Sequence, residues 1–366
     1  MRKILFAISS LGSGGAERVV STLANELTAR GYAVSILLIA SSDQVYPLSE
    51  QIQVISLNCE ENAEQSLLKR YPDRLRKIRT VLKETTPDAV ISFMSETSID
   101  VCLSALGLPI PILVSERNDP SIDPPSRVKR LLRRFAYLRS DTFVFQTPDA
   151  QAYFSSAIQK RSRIILNPLA STLPEPYAGP REKRIVAVGR LSPQKNYPLL
   201  VDAFREFLGE HPDYVLEVYG RGDLEQQLRT RISRLGLEER VLLKGFCSQV
   251  HDAIRNAAFF VMSSDFEGMP NALMEAMALG LPCICTDCPC GGPRMLIRDG
   301  ENGLLVPVGD SASLAQAMGR LADNPELAET LGKQAALLRE RANVNTIVDQ
   351  WQEMIDAAAA SFKEES

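Results

Sequence analysis

Short runs rich in Val, Ile, Leu and Phe recur along the chain, each followed by a stretch whose apolar positions repeat at helical spacing. In the first half the runs fall at residues 3–9, 33–40, 53–57, 88–93, 111–115, 142–146 and 163–166. In the second half they fall at 184–189, 214–220, 240–245, 259–263, 282–286 and 303–306. They are continuously apolar rather than alternating, as strands buried on both faces are. Regular alternation of such strands with helices predicts right-handed βαβ units and mostly parallel sheets. The pattern breaks once, where Asn167-Pro168 opens a stretch that also holds Pro174, Pro176 and Pro180 and has no apolar period. Such a stretch reads as a semi-rigid linker. The pattern therefore predicts an α/β domain over 1–170, a linker over 171–183 and a second α/β domain over 184–342. A helical segment over 343–366 closes the chain, with Ile347, Trp351, Met354 and Ile355 on one helical face.

Composition agrees with two soluble domains. The chain has 366 residues, 45% of them hydrophobic and 23% charged, more than a single core usually serves. A formal net charge of -4 argues against nucleic acid as the partner. No apolar run approaches the roughly 20 residues needed to span a bilayer. The apolar stretch at 4–8 is too short for a signal peptide and runs into a Gly-rich turn. Seven cysteines, an odd number in a long chain, do not read as a secreted disulfide framework. A cytoplasmic location is the expectation.

Three segments carry candidate chemistry. Gly12-Ser13-Gly14-Gly15-Ala16-Glu17-Arg18 follows the first strand. Its glycines and the helix start behind it suit either close approach to a ligand or a tight strand-to-helix turn. It is not the dinucleotide fingerprint, because Glu17 stands where that pattern needs its last Gly. Gly189-Arg190-Leu191-Ser192-Pro193-Gln194-Lys195 follows the first strand of the second domain. Ligands of open α/β sheets sit beyond the carboxyl ends of the strands, so Arg190 and Lys195 are a candidate pair for a diphosphate. The third segment, after the strand at 259–263, places Glu267, Gly268, Met269, Pro270 and Asn271 before and at a helix start, with Glu275 about two turns on. Carboxylates accept hydrogen bonds from sugar and ribose hydroxyls, and helix N-terminal N–H groups bind anionic oxygens. The alternative is that Glu267 caps the helix and Glu275 is a surface residue.

The Glu-x7-Glu segment, the Gly-Arg-x4-Lys loop and Gly14-Gly15-Ala16-Glu17-Arg18 together resemble the retaining GT-B glycosyltransferases of glycosyltransferase family 4. Asn167-Pro168, Tyr219-Gly220-Arg221-Gly222 and the segment 299–306 fall where that family has comparable sequence. Within the family the similarity is to bacterial N-acetylgalactosaminyltransferases that extend polyprenyl-diphosphate-linked glycans. The resemblance implies two Rossmann-like domains facing a cleft, the first for the acceptor and the second for a nucleotide sugar, UDP-linked by expectation. It implies that Arg190 and Lys195 hold the donor diphosphate, Glu267 orients the donor sugar and acts in catalysis with those cations, and Glu275 binds ribose. Gly220, Gly268, Met269, Pro270 and Asn271 complete the implied donor site. Gly14 and Gly15 form the implied loop near donor and acceptor. No cofactor or metal is implied for the transfer step. A UDP-sugar 2-epimerase and a non-catalytic binding subunit are the alternative readings of the same fold.

This chain departs from the family in one segment. Many relatives carry a His where it reads Val114-Ser115-Glu116-Arg117-Asn118-Asp119-Pro120, so Arg117 or Asn118 is expected in its place. The two histidines, His211 and His251, are expected in the second domain away from every motif and read as surface or structural residues. Cys283, Cys285, Cys288 and Cys290 have near zinc-like spacing, but the first two fall on one face of an expected buried strand, where Cys behaves as a small apolar residue, and no second Cys/His cluster accompanies them, so no metal site is expected.

Charge points to the acceptor. Residues 127–139 hold Arg127, Lys129, Arg130, Arg133, Arg134 and Arg139 with no acid, and Val128, Leu131, Leu132, Phe135 and Leu138 on one helical face. A second basic stretch runs from Lys69 through Arg70, Arg74, Arg76, Lys77 and Arg79 to Lys83, with Leu75, Ile78 and Leu82 as its apolar side. Basic amphipathic helices suit anionic membrane surfaces and pyrophosphate groups, and equally a core-facing helix with a solvated back. Arg127, Arg130, Arg133 and Arg134 are the candidate acceptor or membrane contacts, and the expectation is a peripheral enzyme at the inner face of the cell membrane.

Overall fold

The computed structural model describes residues 1–12, 14–59, 67–170 and 172–364. Ser13 of the first glycine motif lies outside these residues, and so does the side chain of Lys69. The chain folds as two compact units, one of Met1–Pro168 with Val344–Ser366 and one of Leu169–Asn343.

The first unit holds a seven-stranded sheet: β1 (Lys3–Ile8), β2 (Ala33–Leu38), β3 (Gln53–Ser56), β4 (Ala89–Phe93), β5 (Ile112–Ser115), β6 (Thr142–Phe145) and β7 (Ser162–Ile164). Their order is β3-β2-β1-β4-β5-β6-β7, and every pairing is parallel. The second unit holds a six-stranded sheet: β8 (Glu182–Val188), β9 (Val215–Tyr219), β10 (Val241–Gly245), β11 (Ala257–Met262), β12 (Cys283–Thr286) and β13 (Leu304–Val306). Its order is β10-β9-β8-β11-β12-β13, again all parallel. Each of the thirteen apolar runs is a strand. Central strands such as β4 and β5 are buried throughout, whereas the edge strand β3 is largely exposed. The two doubly wound sheets are those of the GT-B fold.

Each sheet has one place where the winding direction reverses, between β1 and β4 in the first and between β8 and β11 in the second. At such a point the loops leaving the two strands diverge and open a crevice at their carboxyl ends. The Gly12–Gly15 turn leaves β1 and the Gly189–Lys195 loop leaves β8, so both motifs lie at the reversal points.

Helices α1 (Gly15–Ala29), α2 (Leu67–Thr85), α3 (Ser95–Ser104) and α4 (Arg127–Ala136) belong to the first unit. The terminal helix Val344–Glu364 joins the same unit rather than standing apart. Trp351 is buried and stacks on Phe93, ring centroids 5.7 Å apart. Arg30 pairs with Asp349 and Arg163 with Glu353 around it. The Pro-rich stretch expected as a linker is laid along the second unit. Arg339 donates to the Pro174 carbonyl at 2.7 Å, and Arg181 donates to the Gly280 carbonyl at 2.6 Å. Its prolines remove donors, and these two arginines supply partners for carbonyls that lie outside any sheet.

Candidate functional site

In the second unit the loops leaving β8 and β11 are bonded together along their length. The Asp265 amide donates to the Gln194 carbonyl at 2.9 Å, and Gln194 Nε2 donates to the Phe266 carbonyl at 2.9 Å. Asn196, in the left-handed region at φ 44°, donates to Asp265 Oδ1 at 2.8 Å, and its own side chain caps the helix Tyr197–Phe207. The left-handed region suits Asn, whose short side chain bonds locally. Ser263 Oγ donates to the Lys195 carbonyl at 2.9 Å.

These bonds bring Lys195 and Glu267 into contact, Nζ to Oε1 at 2.5 Å. Ser264 Oγ donates to the same carboxylate oxygen at 2.7 Å, and Gln194 Nε2 reaches Oε2 at 3.3 Å. Backbone bonds to Pro289 and Cys290 fix Glu267 from the other side. Both side chains are mostly buried, 16% and 8% exposed. Arg190 differs from Lys195 on the same loop. It is exposed, and its guanidinium has no hydrogen-bond or ion-pair partner among the described residues. Two close backbone approaches shape the surroundings. Gly220 has φ +143°, and a Cβ there would lie 1.9 Å from the Gly189 carbonyl oxygen. A Cβ on Gly292 would lie 1.8 Å from the Gly268 carbonyl oxygen. Gly268, Met269 and Pro270 are buried, and Pro270 is the N-cap of the helix Asn271–Ala278.

Glu275, on that helix, is buried rather than a surface residue. Its Oε2 lies 2.9 Å from Nε2 of His251, on the short helix Val250–Ile254. The expectation that His251 lies away from every motif is therefore corrected: it touches one of the two motif carboxylates. Sequence distance hid this, since the helices Val250–Ile254 and Asn271–Ala278 meet only in the fold. His211 stacks on Phe207, ring centroids 4.5 Å apart, and is a packing residue.

In the first unit, Gly14 is the N-cap of α1 and Gly15 its first residue. Arg117, expected in the place of a His facing ligand, is turned into the unit. It is 8% exposed. Its guanidinium lies 4.3 Å over the Phe93 ring and 5.6 Å from that of Trp351, and donates to Asn167 Oδ1 at 2.7 Å. Burial pulls its pKa down, and the aromatic faces offset part of that cost. Asn118 is half-buried, and its side chain bonds to Asp123.

Helix α4 reverses the expected polarity. Arg133, expected at a membrane or acceptor, is 1% exposed. It donates to the carbonyls of Asp123 at 2.6 Å and Pro120 at 2.7 Å and faces Glu116 at 3.8 Å. Glu116, held also by Ser95 and Tyr137, has its pKa raised by burial. The apolar face is the one in solvent: Val128 is 76% exposed, Leu131 55%, Phe135 63% and Leu138 76%. Arg127 and Arg134 are exposed beside it, and Arg130 is tied to the Pro124 and Pro125 carbonyls.

Helix α2 is the ordinary case. Ile78 and Leu82 are buried, Arg74 pairs with Asp100 at 3.0 Å, and Arg79 donates to the carbonyls of Ser104 and Leu106. Arg70 is likewise tied to a backbone carbonyl, while Arg76 and Lys77 pair with Asp73 at the surface.

Two family models cover most of the chain. Residues 14–170 match a glycosyl transferase 4-like domain, and residues 175–337 match glycosyl transferases group 1. The chain is built from these two glycosyltransferase domains. It is 27% identical over 97% of its length to a Campylobacter jejuni α-1,4-N-acetyl-D-galactosaminyltransferase, of which it covers 98%. That relative is named for GalNAc-α-(1→4)-GalNAc-α-(1→3)-diNAcBac-PP-undecaprenol. A second C. jejuni enzyme, an N-acetylgalactosamine-N,N'-diacetylbacillosaminyl-diphospho-undecaprenol 4-α-N-acetylgalactosaminyltransferase, is 29% identical over 89% of the chain and is covered to 92%. Among solved structures, Anabaena HepE with UDP and glucose superposes at a TM-score of 0.83, with 21% identity over 97% of this chain and all of that one.

In this glycosyltransferase Cys283, Cys285, Cys288 and Cys290 are all buried. Burial pushes the thiols of Cys283, Cys285 and Cys288 upward, the last to about 12. Among the described residues no group of three or more His, Cys, Asp or Glu is placed to hold a metal ion, and no helix is long and apolar enough to cross a membrane.

Proposed function

We propose that this glycosyltransferase transfers a hexose or N-acetylhexosamine, with N-acetylgalactosamine favoured, from a UDP-sugar to a polyprenyl-diphosphate-linked glycan during polysaccharide or lipid-linked oligosaccharide biosynthesis. The observation that carries the proposal is the bonded cluster of Lys195, Glu267 and Ser264 at the reversal point of the second sheet, with Arg190 exposed on the same loop. A lysine ammonium has three donors, so Lys195 has the capacity to hold Glu267 and a phosphate oxygen together. Glu267, fixed by three side chains, offers its remaining lone pair, on Oε2, to a sugar hydroxyl. Arg190 is available to clamp the diphosphate bidentately. In that arrangement the two cations and the N-terminus of the helix Asn271–Ala278 stabilise charge growing on the leaving phosphate. The transfer runs with retention and without a metal, as a family 4 enzyme's would: the bond from the anomeric carbon to the phosphate oxygen breaks, the acceptor oxygen bonds that carbon on the same face, and the departing phosphate oxygen takes the acceptor's proton. Glu275 binds the ribose, and Gly14, Gly15 and Asn118 line the acceptor side. The C. jejuni relatives support the choice of sugar and lipid-linked acceptor, and the HepE complex supports UDP.

The exposed apolar face of α4 carries the membrane part of the proposal. Moving one such side chain fully out of water is worth about 1.5 to 3 kcal/mol. Val128, Leu131, Phe135 and Leu138 in an anionic bilayer interface, with Arg127 and Arg134 at the headgroups, make a peripheral anchor for the inner face of the cell membrane. The test is to incubate the enzyme with a panel of UDP-sugars in EDTA, with and without lipid-diphosphate acceptor. Acceptor-dependent UDP release supports transfer. Release without acceptor would move the assignment to an epimerase, and no release with any donor to a binding subunit.

A further inference from the structure

One of the two motif carboxylates of the second unit is held by a residue that lies outside every motif. Glu275 is 7% exposed at its side chain, and a carboxylate that deep requires a strong donor. His251 supplies it, Nε2 to Oε2 at 2.9 Å, from a helix that begins just after β10. The imidazole is itself 24% exposed and reaches Glu275 from the side of the β10 loop.

We propose that His251 is a positioning residue for the nucleotide: it fixes the Glu275 carboxylate in the rotamer that receives the donor's ribose. The inference rests on the ribose role given to Glu275 above. An imidazole N–H occupies one lone pair of Oε2, and a carboxylate has about four acceptor sites, so ribose hydroxyls are still accommodated. The bond removes rotamer freedom that binding would otherwise have to remove, a pre-organisation gain in affinity. The effect belongs to nucleotide binding and not to the chemical step, because the cluster around Glu267 is held by different residues.

Calorimetry with UDP, on wild type and the variants His251→Ala, His251→Gln, Glu275→Ala and the double alanine variant, tests this. Glu275→Ala is expected to weaken UDP binding by tenfold or more. His251→Ala is expected to weaken it roughly five- to tenfold while saturating kcat stays near wild type. His251→Gln, which keeps a side-chain N–H at similar reach, should recover much of the loss. In the Glu275→Ala background, His251→Ala should add nothing, since its effect passes through that carboxylate. A His251→Ala loss that persists at full size in that background would mean that His251 meets the nucleotide directly, and would overturn the positioning role alone. Unchanged UDP affinity in His251→Ala, beside a weakened Glu275→Ala, would do the same. Unchanged affinity in Glu275→Ala would overturn both the ribose reading and this one. Thermal melts of all variants, expected to coincide within a few degrees, exclude loss of folded protein as the cause.

Discussion

The loops around Glu267 in the second unit and helix α4 in the first both place several charged side chains close together, and the chain resolves them in opposite ways. Around Glu267 the charges have both signs. Lys195 and Glu267 pair with each other, polar neighbours from two loops fix them, and the pair stays at the carboxyl edge of the sheet. In α4 the charges have one sign only. The middle cation, Arg133, turns inward to Glu116 and backbone carbonyls, and the helix rotates its apolar side chains into solvent. Helix α2, equally basic, has Asp73 and Asp100 at hand and keeps the ordinary orientation with its apolar side buried. The orientation of a basic helix is thus decided by where its cations find partners, and a run of positive charge alone does not reveal it.

The largest expected effect breaks the α4 side of this contrast. Arg133→Ala leaves Glu116 buried with the hydroxyls of Ser95 and Tyr137 but no cation, and removal of one partner of a buried pair costs about 3 to 5 kcal/mol. Arg134→Ala, at an exposed position, should stay within about 0.5 kcal/mol. Urea denaturation of the two variants measures both, and equal small losses would show that Arg133 is not a buried anchor.

Next is the Glu267 cluster. Lys195→Ala should lower kcat roughly 10²-fold with little change in folding. Because Lys195 and Glu267 hold each other, adding Glu267→Gln should cost far less than the two single losses combined. Steady-state kinetics over the double-mutant cycle checks this, and additive losses would mean that the ion pair is incidental.

The anchor follows. Replacing Val128, Leu131 and Leu138 together with Ser should weaken binding to anionic vesicles roughly 10²-fold at unchanged melting temperature. Arg76→Ala on α2 should leave it unaltered. Flotation with liposomes decides, and a triple variant that floats like wild type would return α4 to a merely solvated helix.

The smallest effect sharpens the α2 side. Burial raises the Asp100 carboxyl from 3.8 to about 6, with Arg74 opposing. A raised carboxyl binds its proton more tightly in the folded state, so its penalty is present above pH 6 and is relieved as pH falls through that value toward 4. Relative to Asp100→Asn, wild type should therefore gain about 1 to 2 kcal/mol between pH 8 and pH 4.5. Parallel stability curves for the two proteins would show that Asp100 titrates normally.

Much of the architecture was legible because buried parallel strands announce themselves as continuous apolar runs, and all thirteen did. The position of the Gly189–Lys195 loop and of Glu267 followed from the rule that ligand loops leave carboxyl ends at a sheet reversal. Three features were not legible. The terminal helix shows its apolar face in the sequence, but not that Trp351 meets Phe93, since nothing local encodes a partner so distant in the chain. Arg117 reads as an available cation until Phe93, Trp351 and Asn167 close around it. His251 and Glu275 stand on helices whose contact arises only once β10 and β11 are placed in one sheet. In each case the missing term is a contact distant in sequence, to which periodicity and spacing are blind.

The proposed activity is metal-independent transfer from a UDP-sugar to a lipid-diphosphate glycan, driven by the residues gathered at the second sheet's reversal point. Its most direct test is a time course with UDP-N-acetylgalactosamine and a polyprenyl-diphosphate acceptor in EDTA, following UDP release and glycosylated lipid together and reading the anomeric configuration of the product by NMR. Equal amounts of UDP and product, no release without acceptor, and an α-linked sugar are expected. UDP release with no glycosylated lipid, activity that EDTA abolishes, or a β-linked product would contradict the proposal.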